Sequence, residues 1–270
     1  MSRAGIRVYL QVYKTQIIRS MTYKFEVYGN ILMQSIIMLA SAYFWKALFK
    51  NSDTVKGVDV DTMLIYTVVS AMISVVLTCN VERRIMTSVD KGTIAIDMMR
   101  PVNVFGVFLA EDLAGITALV FQNMLPILVI GCLFIKLPTP AGPAHFALFL
   151  VSLFMAFWIN WLIACMFGMI AFWTLNMDAL IQVKKHLIRL LSGSIIPLWF
   201  FPAWLRNILE WLPFAYLYQL PLDLYIGKYP VSSAQCQRGL CVQLLWLVLL
   251  TMGFLFLQKR VTSKVMIQGG

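Results

Sequence analysis

Charge is what this chain has least of. Only 13% of its 270 residues are Asp, Glu, Lys or Arg, about half the share of a soluble domain. Hydrophobic residues make up 60%. So few solvated side chains cannot cover a globular surface, which excludes soluble folds and leaves an all-α polytopic membrane protein. Catalytic signatures are missing as well: there is no G-x-S-x-G, no H-E-x-x-H and no G-x-x-x-x-G-K-[ST]. The only histidines, His145 and His186, have no acidic neighbour in sequence and read as interfacial side chains. The five cysteines show no metal-ligand spacing. Cys79, Cys132 and Cys165 fall in apolar runs and read as small packing residues, while Cys236 and Cys241 are either free thiols or a disulfide. No catalytic or metal-binding residue is assigned. No cleavable signal peptide, internal repeat, linker or soluble domain is evident, so residues 1–270 read as one membrane domain.

What is present is a series of apolar runs. Residues 1–28 carry five basic side chains, and Ile6, Leu10, Tyr13, Ile17, Met21 and Phe25 recur at helical spacing. That pattern predicts a basic amphipathic helix lying in the membrane interface. Spans are predicted at about Gly29–Phe49, Thr62–Cys79, Leu113–Ile135, within Ala144–Leu175, Leu187–Phe201 and Gly239–Gln258; each needs ~20 apolar residues. Residues 202–238 are too apolar for an ordinary loop but are broken by Pro202, Pro213 and Pro221. They read as an outer re-entrant helical hairpin before the last span. Of 22 Lys and Arg, fifteen fall on one side of this six-span layout. The positive-inside rule makes that side the cytosol, with both termini in it, in a cell (inner) membrane. Anionic lipid and an inner-face protein account for the net charge of +10 without nucleic acid.

The densest charge lies at 80–103, with Glu82, Arg83, Arg84, Asp90, Lys91, Asp97 and Arg100. Charge at the bilayer centre costs at least ~2.5–3.5 kcal/mol each, so the segment belongs in water. Ile85 and Val89 predict one short helix, stopped at Lys91-Gly92. Ile94, Met98 and Met99 predict a second, closed at Arg100-Pro101, where Pro101 disfavours helical geometry in the residue before it. Two short amphipathic helices between spans would make a docking surface, with the apolar stripe entering a partner groove.

Other features carry two readings each. Glu111 and Asp112 open the third span and suit a proton relay or an ion pair with Arg100 or another inner basic residue. Ala164, Gly168 and Ala171 share one helix face and Ser70 and Ser74 another, as close helix packing requires. Aromatics from Trp199 to Tyr225 suit an interfacial belt or an outer gate.

Gly92-Thr-Ile-Ala-Ile-Asp-Met-Met-Arg-Pro101 resembles the G-x-[IL]-x-x-x-[LM]-[LM]-R-P segment of ABC-2-type transporter permeases. Ser192-Gly193, Pro197, Phe201-Pro202, Leu212-Pro213-Phe214, Pro221, Tyr225 and Gly227 are similar to the region before the last span in the six-span branch of that family. The resemblance implies a permease that binds no cofactor itself, ATP and Mg2+ being held by a separate ABC ATPase partner. It further implies a second permease copy or paralogue, a connecting helix at 1–28 and an ATPase-coupling loop at 80–103. By position the coupling residues are Arg83, Arg84, Asp90, Lys91, Gly92, Asp97, Arg100 and Pro101, and those of the outer gate are Pro197, Trp199, Phe201, Pro202, Pro213, Phe214 and Pro221. The family exports drugs, peptides, lipids and polysaccharides. The scarcity of polar residues in the spans favours an amphipathic or hydrophobic cargo. A lipid-modifying membrane enzyme and a stand-alone immunity or sensor protein are the alternatives.

Overall fold

The computed structural model describes residues 3–22, 24–50, 54–55, 58–134, 139–174 and 177–268. Nearly all of it is helix, as expected where lipid leaves backbone groups to satisfy one another. In chain order come α1 (Arg3–Thr22), α2 (Lys24–Leu48), a two-stranded hairpin of β1 (Thr54–Val55) and β2 (Val58–Asp59), and α3 (Val60–Val76). Then follow α4 (Val81–Asp90), α5 (Thr93–Met99), α6 (Val104–Leu119), α7 (Leu125–Phe134), α8 (Pro143–Met169) and α9 (Asp178–Leu191). The chain finishes with α10 (Ala203–Leu209), α11 (Gln219–Tyr225) and α12 (Ala234–Gln268).

Five stretches are long and apolar enough to cross a membrane: Ile31–Leu48, Val60–Asp90, Val104–Leu133, Pro143–Phe172 and Ala234–Ser263. The chain is therefore a multi-pass helical membrane protein. The predicted span Leu187–Phe201 is not one helix. α9 starts nine residues earlier and is ~21 Å long, short of the ~30 Å hydrocarbon layer. It stops at Ser192 because Gly193 takes a left-handed φ of 85°. Pro197 then caps a single 3-10 turn at Leu198–Phe200. The freed carbonyls find protein partners: Tyr66 Oη donates to Gly193 O (2.5 Å), Ser70 Oγ to Ser194 O (2.7 Å) and Gln219 N to Ser192 O (3.1 Å).

The third span also differs from expectation. Helix begins at Val104, not 113, so Glu111 and Asp112 lie two turns inside α6. A π-helical turn at Val120–Met124 joins α6 to α7 and precedes Pro126, which cannot donate to the turn before it. The predicted end at Ile135, and Leu175 and Asn176 near the next boundaries, lie outside the described residues.

α1 packs along α6. Tyr13 Oη donates to Thr117 Oγ1 (2.8 Å), and Asn103 N donates to Tyr9 Oη (3.1 Å). Gly106 makes this approach feasible, since a Cβ there would sit 3.0 Å from the Tyr9 ring. α8 is the central post, with α4, α11 and α12 packed on it. Gln243 ties α12 to α8 by accepting from Ser152 Oγ and donating to Ser152 O and Tyr216 O, each at 2.9 Å. Cys236 and Cys241 are both free thiols, one buried and one exposed.

Candidate functional site

α4 and α5 lie at the end of the bundle where α3 stops and α6 begins, here termed the basic end. Their boundaries follow the local chemistry. Lys91 caps α4, its N–H donating to Thr87 O (3.1 Å). Gly92 adopts a φ of 68°, which a side chain resists. Arg100 is extended ahead of Pro101 and pairs with Asp97 at 3.5 Å.

The expected apolar stripe faces the core except at Met99. Ile85 and Ile94 are buried in the core, with Val89 and Met98 packed against it. What α5 shows to solvent is Ile96 (61% exposed) and Met99 (86% exposed). Arg83, Asp90, Lys91, Gly92, Arg100 and Pro101 are also exposed, and Asp97 is half-buried. The large apolar side chains that α5 exposes are therefore Ile96 and Met99. Sequence periodicity could not separate the two stripes, because a seven-residue helix with five apolar positions offers two of them.

Arg84 departs from the expected site. It is half-buried, ion-paired to Glu111 and 3.9 Å from Asp112. The buried Asp112 also accepts from Asn80 N (3.1 Å) at the head of α4. The carboxylates of α6 are thus held by a basic residue of this end, Arg84 and not Arg100. Arg83, one residue earlier and about 100° round the helix, is exposed and 3.6 Å from Asp178 of α9.

Glu82 is the residue that sequence reasoning missed. It is fully buried, paired with the buried Lys184 and 3.5 Å from Lys185, both on α9. Gly168 of α8 brings it there: a Cβ at 168 would lie 2.9 Å from Glu82 Cα and 3.0 Å from Ile85 Cδ1. The small residue predicted for close packing is spent within this chain, on α4. Nothing in the sequence links positions 82 and 184, so no local signal could have found the pair.

Two cavities open near α4. One of ~730 Å³ lies between α1, α4 and α6 and takes in Arg19, Arg84, Asp97 and Glu111. The other, ~620 Å³, runs between α2, α3 and α9, from Lys184 and Lys185 up to Tyr66 and Ser194. Asn160 of α8 lines it and donates to Leu77 O (2.7 Å), closing the end of α3.

At the opposite end Gln219 is bonded to the 3-10 turn that follows the predicted gate residue Pro197. Its amide oxygen accepts from Leu198 N (2.8 Å) and Tyr66 Oη (3.2 Å), and its amide nitrogen donates to Asp223 (2.7 Å). Pro197 and Pro202 head the 3-10 turn and α10, Pro213 heads a second 3-10 turn containing Phe214, and Pro221 is buried inside α11. Trp199 meets Tyr66 edge-on at 5.5 Å and lies under Lys228 Nζ at 3.8 Å. Phe201 is half-buried. Burial, opposed by Lys228 and the Gln219 amide, pushes the Asp223 carboxyl up to about 7.

Among the described residues no cluster of His, Cys, Asp and Glu is arranged to hold a metal ion. No curated protein and no solved structure matches the chain. Residues 35–268 match the family described as ABC-2 family transporter protein. That match leaves out only the first 34 residues and the last two, and the chain belongs to the ABC-2 family of transporter membrane proteins.

Proposed function

We propose that this chain is the permease subunit of an ATP-driven exporter of amphipathic or hydrophobic compounds, working with a separate ATPase and a second permease. The basic end faces the cytosol and carries the ATPase-docking surface. The observation that carries the reading is the pairing of two features on one short segment. α5 leaves Ile96 and Met99 exposed beside the charged neighbours Asp97 and Arg100 in sequence, while α4 is ion-locked through Glu82 to α9, which lines the membrane groove. A push on α5 therefore reaches the groove through a buried charge pair. From α9 the path continues through Ser192 and Gly193 to Gln219, and so to residues 202–238 as the outer re-entrant gate. Nucleotide binding can drive this path only through different contacts in its two states. The Glu111–Asp112 pair, on which a lipid-modifying enzyme would rest, is engaged by Arg84.

The test is to replace Ile96→Glu and Met99→Glu together. Both side chains already lie in water, so the fold should persist while ATPase co-purification and ATP-driven export fall. A double variant that still co-purifies and exports at the parental rate places the docking surface elsewhere.

A further inference from the structure

The two cavities at the basic end are similar in size but differ in charge balance. Around the cavity between α1, α4 and α6, Arg19, Arg83 and Arg84 are matched by Asp97, Glu111 and Asp112. The groove between α2, α3 and α9 is lined by Lys184, Lys185 and Arg189 against a single carboxylate, Glu82. That carboxylate is already committed to the two lysines. Arg189 has no carboxylate within ion-pair distance among the described residues.

Depth makes this excess informative. Five residues separate Arg189 from Lys184, which places it ~7–8 Å further along α9. Five residues beyond it, Ser194 accepts from Ser70 in the middle of α3. A guanidinium at that depth persists where it faces a water-filled cavity, and such a residue marks a ligand or ion path. The facing wall is polar too. Thr67, Ser74 and Thr78 lie on one face of α3 and its inner end, and each hydroxyl donates back to its own chain (2.7–2.9 Å), which leaves oxygen lone pairs for the groove. Ile37, Met38, Ile188 and Ile195 supply apolar surface beside them.

We propose that this groove binds amphipathic anions, with the acid group at Arg189 and Lys185 and the apolar part against α2. The inference rests on the permease reading for its role as a cargo site, but binding itself needs neither ATP nor the ATPase. The ligand is the bilayer's own anionic lipid or a dissolved amphipathic acid, which share this chemistry.

The test uses the full chain in phosphatidylcholine nanodiscs. Dodecyl probes with one dansyl group and a carboxylate, an uncharged amide or a trimethylammonium head are titrated by fluorescence. The carboxylate probe should bind at least about tenfold tighter than the trimethylammonium probe. Arg189→Gln should remove most of that preference and Arg189→Glu should invert it. Gln34→Glu, on the opposite wall, should weaken the carboxylate probe without altering α9. Equal binding of the three heads to the parent, or a preference unmoved by both Arg189→Glu and Gln34→Glu, overturns the proposal. Competition by added phosphatidylglycerol identifies a lipid ligand, and binding without competition identifies a dissolved one. Loss of head-group preference with normal ATPase association overturns this inference alone. Preference without ATPase association overturns the permease reading alone.

Discussion

Glu82 is fully buried and Lys184 is 5% exposed, so removing one of them leaves the other charged in a place it cannot solvate. Glu82→Ala should therefore cost about 3–5 kcal/mol, the range for breaking a buried ion pair from one side. For a chain of this size a kcal/mol corresponds to ~2–4 °C, so the midpoint of unfolding in detergent should fall by roughly 6–20 °C. Replacing both partners with apolar residues of similar volume, Glu82→Leu with Lys184→Met, leaves no orphaned charge and should be neutral or stabilising. Lys185 remains, but its side chain is 42% exposed and can turn to water. The assay is a double-mutant cycle on thermal unfolding, followed by tryptophan fluorescence. The double variant then separates stability from transmission. If the pair carries motion from α4 to α9, the stable double variant should still co-purify with its ATPase yet lose cargo-stimulated ATP hydrolysis. A single Glu82→Ala cost below about 1 kcal/mol, or a double variant as unstable as the single, would refute the reasoning about burial. Parental coupling in the double variant would refute the transmission role.

The remaining predictions concern other parts of the same path. Gly193→Ala should destabilise the fold by about 1–3 kcal/mol, because a Cβ there meets Gln219 Oε1 at 2.6 Å with φ at +85°; thermal unfolding checks it, and Gln219→Ala should show a similar loss. Burial pushes the Asp223 carboxyl up to about 7, well above the ordinary carboxylate range, so the folded state holds the extra proton and stability should decline as pH rises from about 4 to 7. Asp223→Asn should flatten the plot of unfolding midpoint against pH over that window. In a cysteine-free background, Lys91→Cys and Asp59→Cys should label from opposite sides of the membrane, and Arg206→Cys should label with Asp59→Cys; equal access of an impermeant reagent to all three would overturn the orientation.

Local structure was legible wherever one residue decides it. Lys91-Gly92 and Arg100-Pro101 end their helices where the sequence predicts, because a left-handed glycine and a pre-proline residue act on their own backbone. The span boundaries were less legible. Hydropathy averages over a window, so it saw Leu187–Phe201 as one apolar run and missed that Gly193 and Pro197 break it. The break is tolerable only because Tyr66, Ser70 and Gln219 arrive from elsewhere to satisfy the carbonyls and the amide of Leu198. Those partners are more than a hundred residues away or beyond several turns, and composition holds no trace of them. The scarcity of polar residues in the spans likewise concealed a polar groove, since the few that exist are gathered on facing walls.

Arg83 and Arg84 show why charge counts mislead at this scale. As a pair in sequence they read as one basic patch in water. One residue of helix is about 100° of rotation, enough to turn Arg84 onto the carboxylates of α6 while Arg83 stays at the surface near α9. Reversing both to Glu would therefore mix two effects. At 84 it would put a third carboxylate beside Glu111 and Asp112, and the cost would be one of folding. At 83 it would place a carboxylate near Asp178, in solvent, where like charges cost little. Of the two arginines, Arg83→Glu with Arg84 kept is the change that asks whether this surface docks a partner. A loss of ATPase binding in Arg83→Glu at unchanged thermal stability supports docking at that residue. A loss seen only when Arg84 is changed as well belongs to the fold.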